Sequence, residues 1–230
     1  MKKRIIDSIQ SLKSPKFATA NFVSTGISDL DIALNGGFRD GDIVEIYGDP
    51  SSAKTTLALM VTKEVQKKNF IPLYISTEDT YTASWLSKID IDKSKLIQIK
   101  INDLDNIKNQ ILKSLENGIK LIVIDSLTAA ILDNAYYTDS YISNMLRVIS
   151  PIIINKKAIL ILINQYRHVG GGYIITTANT PIRVFSNIRI GMFVDTHIIK
   201  DNNIIGDKIK VNISGNRIKN KKTVYFNLYF

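Results

Sequence analysis

The chain has 230 residues, with 30 Lys plus Arg against 21 Asp plus Glu, a formal net charge of +9, 45% hydrophobic residues and no cysteine. That length holds one or two domains, and its apolar content supplies a core, which excludes intrinsic disorder as the main state. Without cysteine there is no disulfide framework and no thiolate metal site, and two isolated histidines do not build a zinc centre, so any metal chemistry must use oxygen ligands.

Residues 1–23 read as a short N-terminal arm. Its basic start is followed by Asp7, Gln10 and Lys13, which break any apolar signal-peptide region, so the expected location is a cytoplasm. Short β-branched apolar runs at 43–48, 72–76, 96–100, 121–126 and 158–165 then predict strands buried on both faces, since they barely alternate. Helical stretches are expected between them, at 54–69, about 79–88, 103–117 and 139–156. This βα alternation is the signature of a mostly parallel sheet flanked by helices. The apolar runs at 151–154 and 158–163 are separated by Lys156 and Lys157, far short of the roughly 18 to 20 residues that span a bilayer, so no membrane partner is expected.

After the Gly- and Thr-rich stretch at 167–181, the pattern changes to runs at 184–194, 196–200, 207–214 and 223–230, separated by turn signals such as Asp201-Asn202-Asn203 and Ser214-Gly215-Asn216. These predict an antiparallel C-terminal extension, completing an α/β fold. Residues 181–230 carry nine Lys or Arg against Asp195, Asp201 and Asp207, a net +6. Such a concentration suits a polyanionic partner, because each neutralised phosphate releases a counterion. A solvated basic face, or the codon usage of an AT-rich genome, accounts for the same bias.

Directly after the first buried strand stands Gly48-Asp49-Pro50-Ser51-Ser52-Ala53-Lys54-Thr55-Thr56, leading into a helical run. Strand, loop and helix follow in the order of a Walker A phosphate loop, whose N–H groups and helix N-terminus cradle phosphates. Lys54 would reach the β and γ oxygens and Thr55 would hold Mg²⁺. Ala53 replaces the usual glycine, and its Cβ penalises a positive φ. Asp125, preceded by four apolar residues, has the Walker B arrangement. Glu78, just beyond the second strand, is placed to orient a water attacking the γ-phosphate, or alternatively to cap a helix with Asp79 and Thr80.

A family resemblance rests on these motifs together. Ser24-Thr25-Gly26, Leu30 to Leu34, Gly36-Gly37, Ile43 to Gly48, Ser51 to Thr56, Thr77-Glu78-Asp79, Val123 to Ser126, Ile163 to Arg167, Ile188-Arg189 and Val211 to Ile218 resemble, in order, RecA-type recombinase cores. The likeness covers the chain from Ser24 to the C-terminus, which implies a RecA-like P-loop ATPase core over 24–230. It implies ATP and Mg²⁺ as cofactors, Glu78 as the carboxylate activating water, and Gln165 as a γ-phosphate sensor. DNA-binding loops fall at about 132–140, with Tyr136 and Tyr137, and at 166–180, with Arg167, His168, Gly170, Gly171 and Gly172. Packed aromatics are the alternative for the two tyrosines. Trp85 matches the aromatic that stacks on adenine, with a core tryptophan as the other reading.

By the same resemblance, Arg217 would be a cation supplied in trans to a neighbour's γ-phosphate, with Gly215 where a second lysine is expected. Arg183, between the 166–180 loop and the following strand, is a further candidate for the subunit interface, with a DNA phosphate contact or a solvated strand edge as the alternatives. Phe17-Ala18-Thr19-Ala20 has the F-x-x-A form that relatives use to dock on a neighbour. The compact layout is similar to viral or plasmid-borne members.

The implied function is an ATP-dependent, DNA-dependent ATPase and recombinase that polymerises on single-stranded DNA as a helical filament, a ring being possible, and pairs it with homologous duplex. The alternatives are a core-only paralogue that binds or anneals single strands or assists a recombinase, and a nucleotide-binding scaffold with decayed hydrolysis. A ring helicase of the same superfamily is disfavoured by the run from Gly36 to Thr56.

Overall fold

A computed structural model describes residues 21–77, 86, 88–132, 138–169 and 173–229, of which 167–169 and 173–175 are described by their backbone alone. The central sheet has eight strands, built on β3 (Ile43–Gly48), β4 (Leu73–Ser76), β5 (Ile97–Lys100), β6 (Leu121–Asp125), β7 (Ile159–Asn164), β10 (Ile188–Lys200), β11 (Asn203–Ser214) and β12 (Lys222–Tyr229). Their spatial order is β12-β11-β10-β3-β7-β6-β4-β5. The six from β10 to β5 run parallel, and β11 and β12 extend the sheet antiparallel. Two smaller pairings complete the strands: β1 (Phe22–Val23) with β2 (Phe38–Arg39), and β8 (Tyr166–Val169) with β9 (Tyr173–Thr176).

The parallel strands are β-branched and apolar because both of their faces are covered. On one face Val44, Ile46, Val123, Ile161 and Ile190 pack with Leu57, Leu59, Val61 and Val65 of the helix α2 (Lys54–Lys67), and with Leu30 and Leu34 from or next to α1 (Ser28–Ala33). On the other, Ile43, Ile75, Ile122, Ile124 and Leu162 pack with α3 (Leu104–Glu116), α4 (Leu127–Leu132), α5 (Asp139–Lys156) and α6 (Asn179–Phe185). Each fully buried Leu or Ile contributes roughly 1.5–3 kcal/mol relative to exposure. Asp103 and Thr138 cap α3 and α5 by accepting hydrogen bonds from Asn106 N and Tyr141 N. Among the described residues no helix is long and apolar enough to cross a membrane.

Three details differ from the sequence reading. Strand β5 lies at the sheet edge with Ile97 exposed, so it is not buried on both faces. The runs at 184–194 and 196–200 do not form two strands: residues to Phe185 belong to α6, and 188–200 is one strand with a bulge at Asp195 that keeps pairing with β11 on either side. The arm's last two described strand residues, Phe22 and Val23, pair with β2 and so join the core. The tight turn at Asp201 and Asn202 has φ of 50° and 61°, the left-handed pair that a two-residue hairpin requires.

Candidate active site

The carboxyl ends of β3, β6 and β7 lie side by side, where a parallel α/β sheet opens a crevice for ligands. From β3 the chain enters the phosphate loop at Gly48, where any Cβ would lie 1.9 Å from the Met192 carbonyl oxygen. Only glycine allows that approach. Ala53 holds φ 67° and ψ 22° at the N-cap of α2, so the left-handed turn persists although alanine has replaced glycine. The strain of roughly 1–2 kcal/mol for that conformation is offset in part by burial of the Ala53 methyl in the core. Ser51 is also left-handed.

The loop is built for an anion. It leads into a fourteen-residue helix with no acidic residue in its first turn, so the positive end of the helix dipole faces the loop unopposed. Lys54 Nζ donates to the carbonyls of Gly48 (3.0 Å) and Asp49 (2.5 Å). Burial lowers the pKa of this ammonium, while Asp125 and Asp49 act to raise it. The buried Ser52 hydroxyl has no hydrogen-bond partner among the described residues, an orphan donor inside the cradle. Thr56 is buried in α2, and Pro50 is exposed.

At the end of β6, Asp125 is 3% exposed. Its Oδ2 accepts hydrogen bonds from Thr55 Oγ1 at 2.8 Å and Tyr74 OH at 2.7 Å. Burial raises its pKa against the lowering effect of those two donors and of Lys54. Among the described residues no group of three or more His, Asp or Glu converges. The Thr55 and Asp125 oxygens suit Mg²⁺, which takes one or two protein oxygens and completes its shell with phosphates and water. Thr77 ties β4 to β6: its N–H donates to the Asp125 carbonyl, and its hydroxyl accepts from Ser126 N. Glu78 and Trp85 follow it and lie outside the described residues, as do Tyr136, Tyr137, Gly170 to Gly172 and the segment Phe17 to Ala20.

The stretch read as the second DNA-binding loop is a β-hairpin, β8–β9. Both of its roots are held by a buried network that sequence reasoning missed. Glu45, fully buried, is ion-paired with Arg189 Nε, its register partner on β10, and accepts from Asn164 Nδ2 at 3.0 Å. Asn164 Nδ2 also donates to the Thr177 carbonyl (2.9 Å), while its Oδ1 accepts from Thr128 Oγ1 (2.6 Å) and from Gln165 N (3.1 Å). Arg189 further reaches Asn179 Oδ1 at 3.4 Å. Gln165 itself is exposed and lines a cleft of about 620 Å³ with Thr128, Leu132, Tyr166, Thr177 and Asn179. The backbone of Arg167 and His168 lies in β8, and Arg183 is exposed in the last turn of α6.

Arg217 departs from the expectation of a cation directed at a neighbour. Its guanidinium is paired inside its own subunit with Asp42 at 3.1 Å and donates to the carbonyls of Gly37 (3.1 Å) and Leu34 (3.4 Å). The physical reason is Asp42: buried at the start of β3, with its pKa raised by desolvation, it needs a cation, and Arg217 supplies it. Gly215, at φ 128°, would place a Cβ 2.5 Å from the Asn187 carbonyl oxygen, so a lysine there would require the backbone to move.

Two outcomes follow from these charges. Arg217→Met strands a buried carboxylate and should lower unfolding stability by about 3–5 kcal/mol, whereas the double variant with Asp42→Asn should recover most of that loss in urea titrations. Asp125 has a raised folded-state pKa, so its contribution to stability is present below the unfolded value of about 3.9 and is lost as pH rises through the folded value. Asp125→Asn should therefore raise Tm at pH 7, and the gain should shrink as the pH is lowered; an equal or lower Tm at pH 7 would contradict the assignment of a charge that opposes folding.

The family profile described as RecA N-terminal domain matches residues 2–230. Protein RecA of Mycoplasma mycoides subsp. mycoides SC is 33% identical over 223 residues, covering 88% of this chain and 62% of that protein. Protein RecA of Leptospira meyeri is 33% identical, covering 90% and 56%, and that of Clostridium beijerinckii 32% identical, covering 92% and 63%. The chain thus spans less than two thirds of the length of these relatives. On the profile match across its length and these identities, the chain belongs to the RecA N-terminal domain family.

Proposed function

We propose that the protein is an ATP-dependent DNA recombinase that assembles on single-stranded DNA and promotes homologous pairing and strand exchange. The observation that carries this reading is the junction of two elements on one strand end: the cradle of Lys54, Thr55 and Asp125, and the β8–β9 hairpin rooted beside it at Gln165. Relatives named Protein RecA support it.

In this reading Mg²⁺ held by Thr55 and Asp125 supplies charge neutralisation at the phosphates. The loop N–H groups and Lys54 bind the phosphates, Glu78 orients the attacking water, and Trp85 stacks on the base. Gln165 is exposed in the cleft, where it is free to turn toward a γ-phosphate and to pass its position to the hairpin. Arg167, His168, Gly170, Gly171, Gly172, Tyr136, Tyr137 and Arg183 form the DNA surface, with the basic stretch of 181–230 adding long-range attraction. The segment before β1 acts as a protomer-docking arm, and the core begins with the β1–β2 pair. The place of work is a cytoplasm.

A second reading has one specific support. Arg217 is committed to Asp42 and Gly215 has no side chain, so neither of the two expected positions offers a neighbour a cation. That favours a paralogue that binds or anneals single strands, or assists a recombinase, with little hydrolysis of its own.

Negative-stain microscopy with single-stranded DNA and a non-hydrolysable ATP analogue tests the proposal. Helical filaments are the expected result, and closed rings or bare DNA would overturn it. Filaments without DNA-stimulated phosphate release on ATP would select the second reading.

A further inference from the structure

The phosphate loop carries its own negative charge. Asp49 stands directly after Gly48, its carbonyl is bound by Lys54, and a free carboxylate there competes with an incoming polyphosphate for the same cation. The carboxylate is instead occupied from the far side. Tyr166 OH, 117 residues along the chain, donates to Asp49 Oδ1.

Tyr166 is the first residue of β8, one position beyond Gln165, so the bond joins the phosphate loop to the hairpin itself rather than to the sheet beneath it. Its ring is braced: it packs edge-on against Phe193 at 5.8 Å, and Phe193 packs against Tyr47 at 6.5 Å. Tyr47 in turn lies under the Arg189 guanidinium at 5.1 Å. The phenol is thereby aimed by β3 and β10, the two strands that carry the buried Glu45–Arg189 pair.

We propose that Tyr166 is a positioning residue that holds the Asp49 carboxylate away from the phosphate seat and ties the state of the phosphate loop to the β8–β9 hairpin. The inference rests on the loop being a nucleotide seat. The Tyr166 pKa is pushed up to about 12, first by burial and then by Asp49, so the hydroxyl keeps its proton and remains a donor at neutral pH. The link works in both directions. A nucleotide that draws the loop around its phosphates loads the hydrogen bond, and an ordered hairpin keeps Asp49 out of the seat.

The test is a double-mutant cycle of Tyr166→Phe and Asp49→Asn, read in two ways. The first readout is the affinity for a fluorescent ATP analogue with Mg²⁺. Tyr166→Phe should weaken binding about tenfold, the scale of one hydrogen bond to a charged group. In the Asp49→Asn background the same substitution should change affinity less than about threefold, because no carboxylate remains to swing inward. The second readout needs no nucleotide: backbone hydrogen exchange at 166–176 in the free protein should quicken in Tyr166→Phe.

An equal loss in both backgrounds, with the wild-type protein binding the analogue, would overturn the proposal and leave the nucleotide seat standing. Unchanged exchange in the hairpin of Tyr166→Phe would also overturn it. If the wild-type protein fails to bind the analogue, the nucleotide seat falls first and the proposal with it.

Discussion

A carboxylate with no access to water sits in the middle of the sheet, and the site depends on how it is neutralised. Glu45 on β3 is fully buried, and an isolated charge there would cost several kcal/mol. Arg189 meets it from the neighbouring strand in register, and Asn164 meets it from the other side. Once Asn164 has given one amide hydrogen to Glu45, its remaining groups have determined directions. They reach Thr128 at the start of α4, the N–H of Gln165 and the carbonyl of Thr177. The same residue therefore holds both roots of the hairpin and orients the helix after Asp125. A partly satisfied network of this kind is worse than an apolar core, so its members stand or fall together.

The phosphate cradle is set against that frame. Gly48 touches the Met192 carbonyl of β10 too closely for any side chain, which aligns the loop with the strand that carries Arg189. Ala53 accepts the left-handed turn instead of reshaping the loop: the strain of roughly 1–2 kcal/mol is offset in part by the roughly 0.8 kcal/mol that burying its methyl returns. Asp125 and Lys54 are each unfavourable as charges in their surroundings, as their opposite pKa shifts record. Such groups destabilise the fold locally and are retained where chemistry needs them.

Much of this was legible in the sequence for physical reasons that can be named. Apolar runs that barely alternate mark β3, β6 and β7 because strands buried on both faces have no polar side, and the bounds expected for the helix 139–156 are those observed. Lys54 and Thr55 stand out because a phosphate loop places its residues at close, ordered spacing, and Asp125 because a carboxylate ends a strand of four apolar residues; the fold then puts Thr55 and Asp125 within a hydrogen bond. The hairpin at 166–176 reads as a loop because its place and its Gly and Thr content match that loop of the family, while its two four-residue strands, 166–169 and 173–176, show no alternation of polar and apolar residues. Strand β5 looked buried because an apolar run does not reveal that its strand lies at an edge. The pairs Glu45–Arg189, Asp42–Arg217 and Asp49–Tyr166 were illegible, since each joins residues more than a hundred positions apart that only the sheet order brings together. A lone Glu between apolar neighbours in a strand was the one available signal for the first of them.

The Tyr166–Asp49 bond and the Asn164 network join the phosphate loop to the β8–β9 hairpin, so under the proposed function the nucleotide at one end and DNA at the other must be thermodynamically linked. The direct measurement is the affinity for a single-stranded oligonucleotide at one salt concentration, with and without a non-hydrolysable ATP analogue and Mg²⁺, followed by the affinity for the analogue with and without DNA. The predicted result is a tightening of DNA binding by at least about fivefold, matched by the same factor for the analogue. Affinities for DNA that are indifferent to the nucleotide would contradict the account.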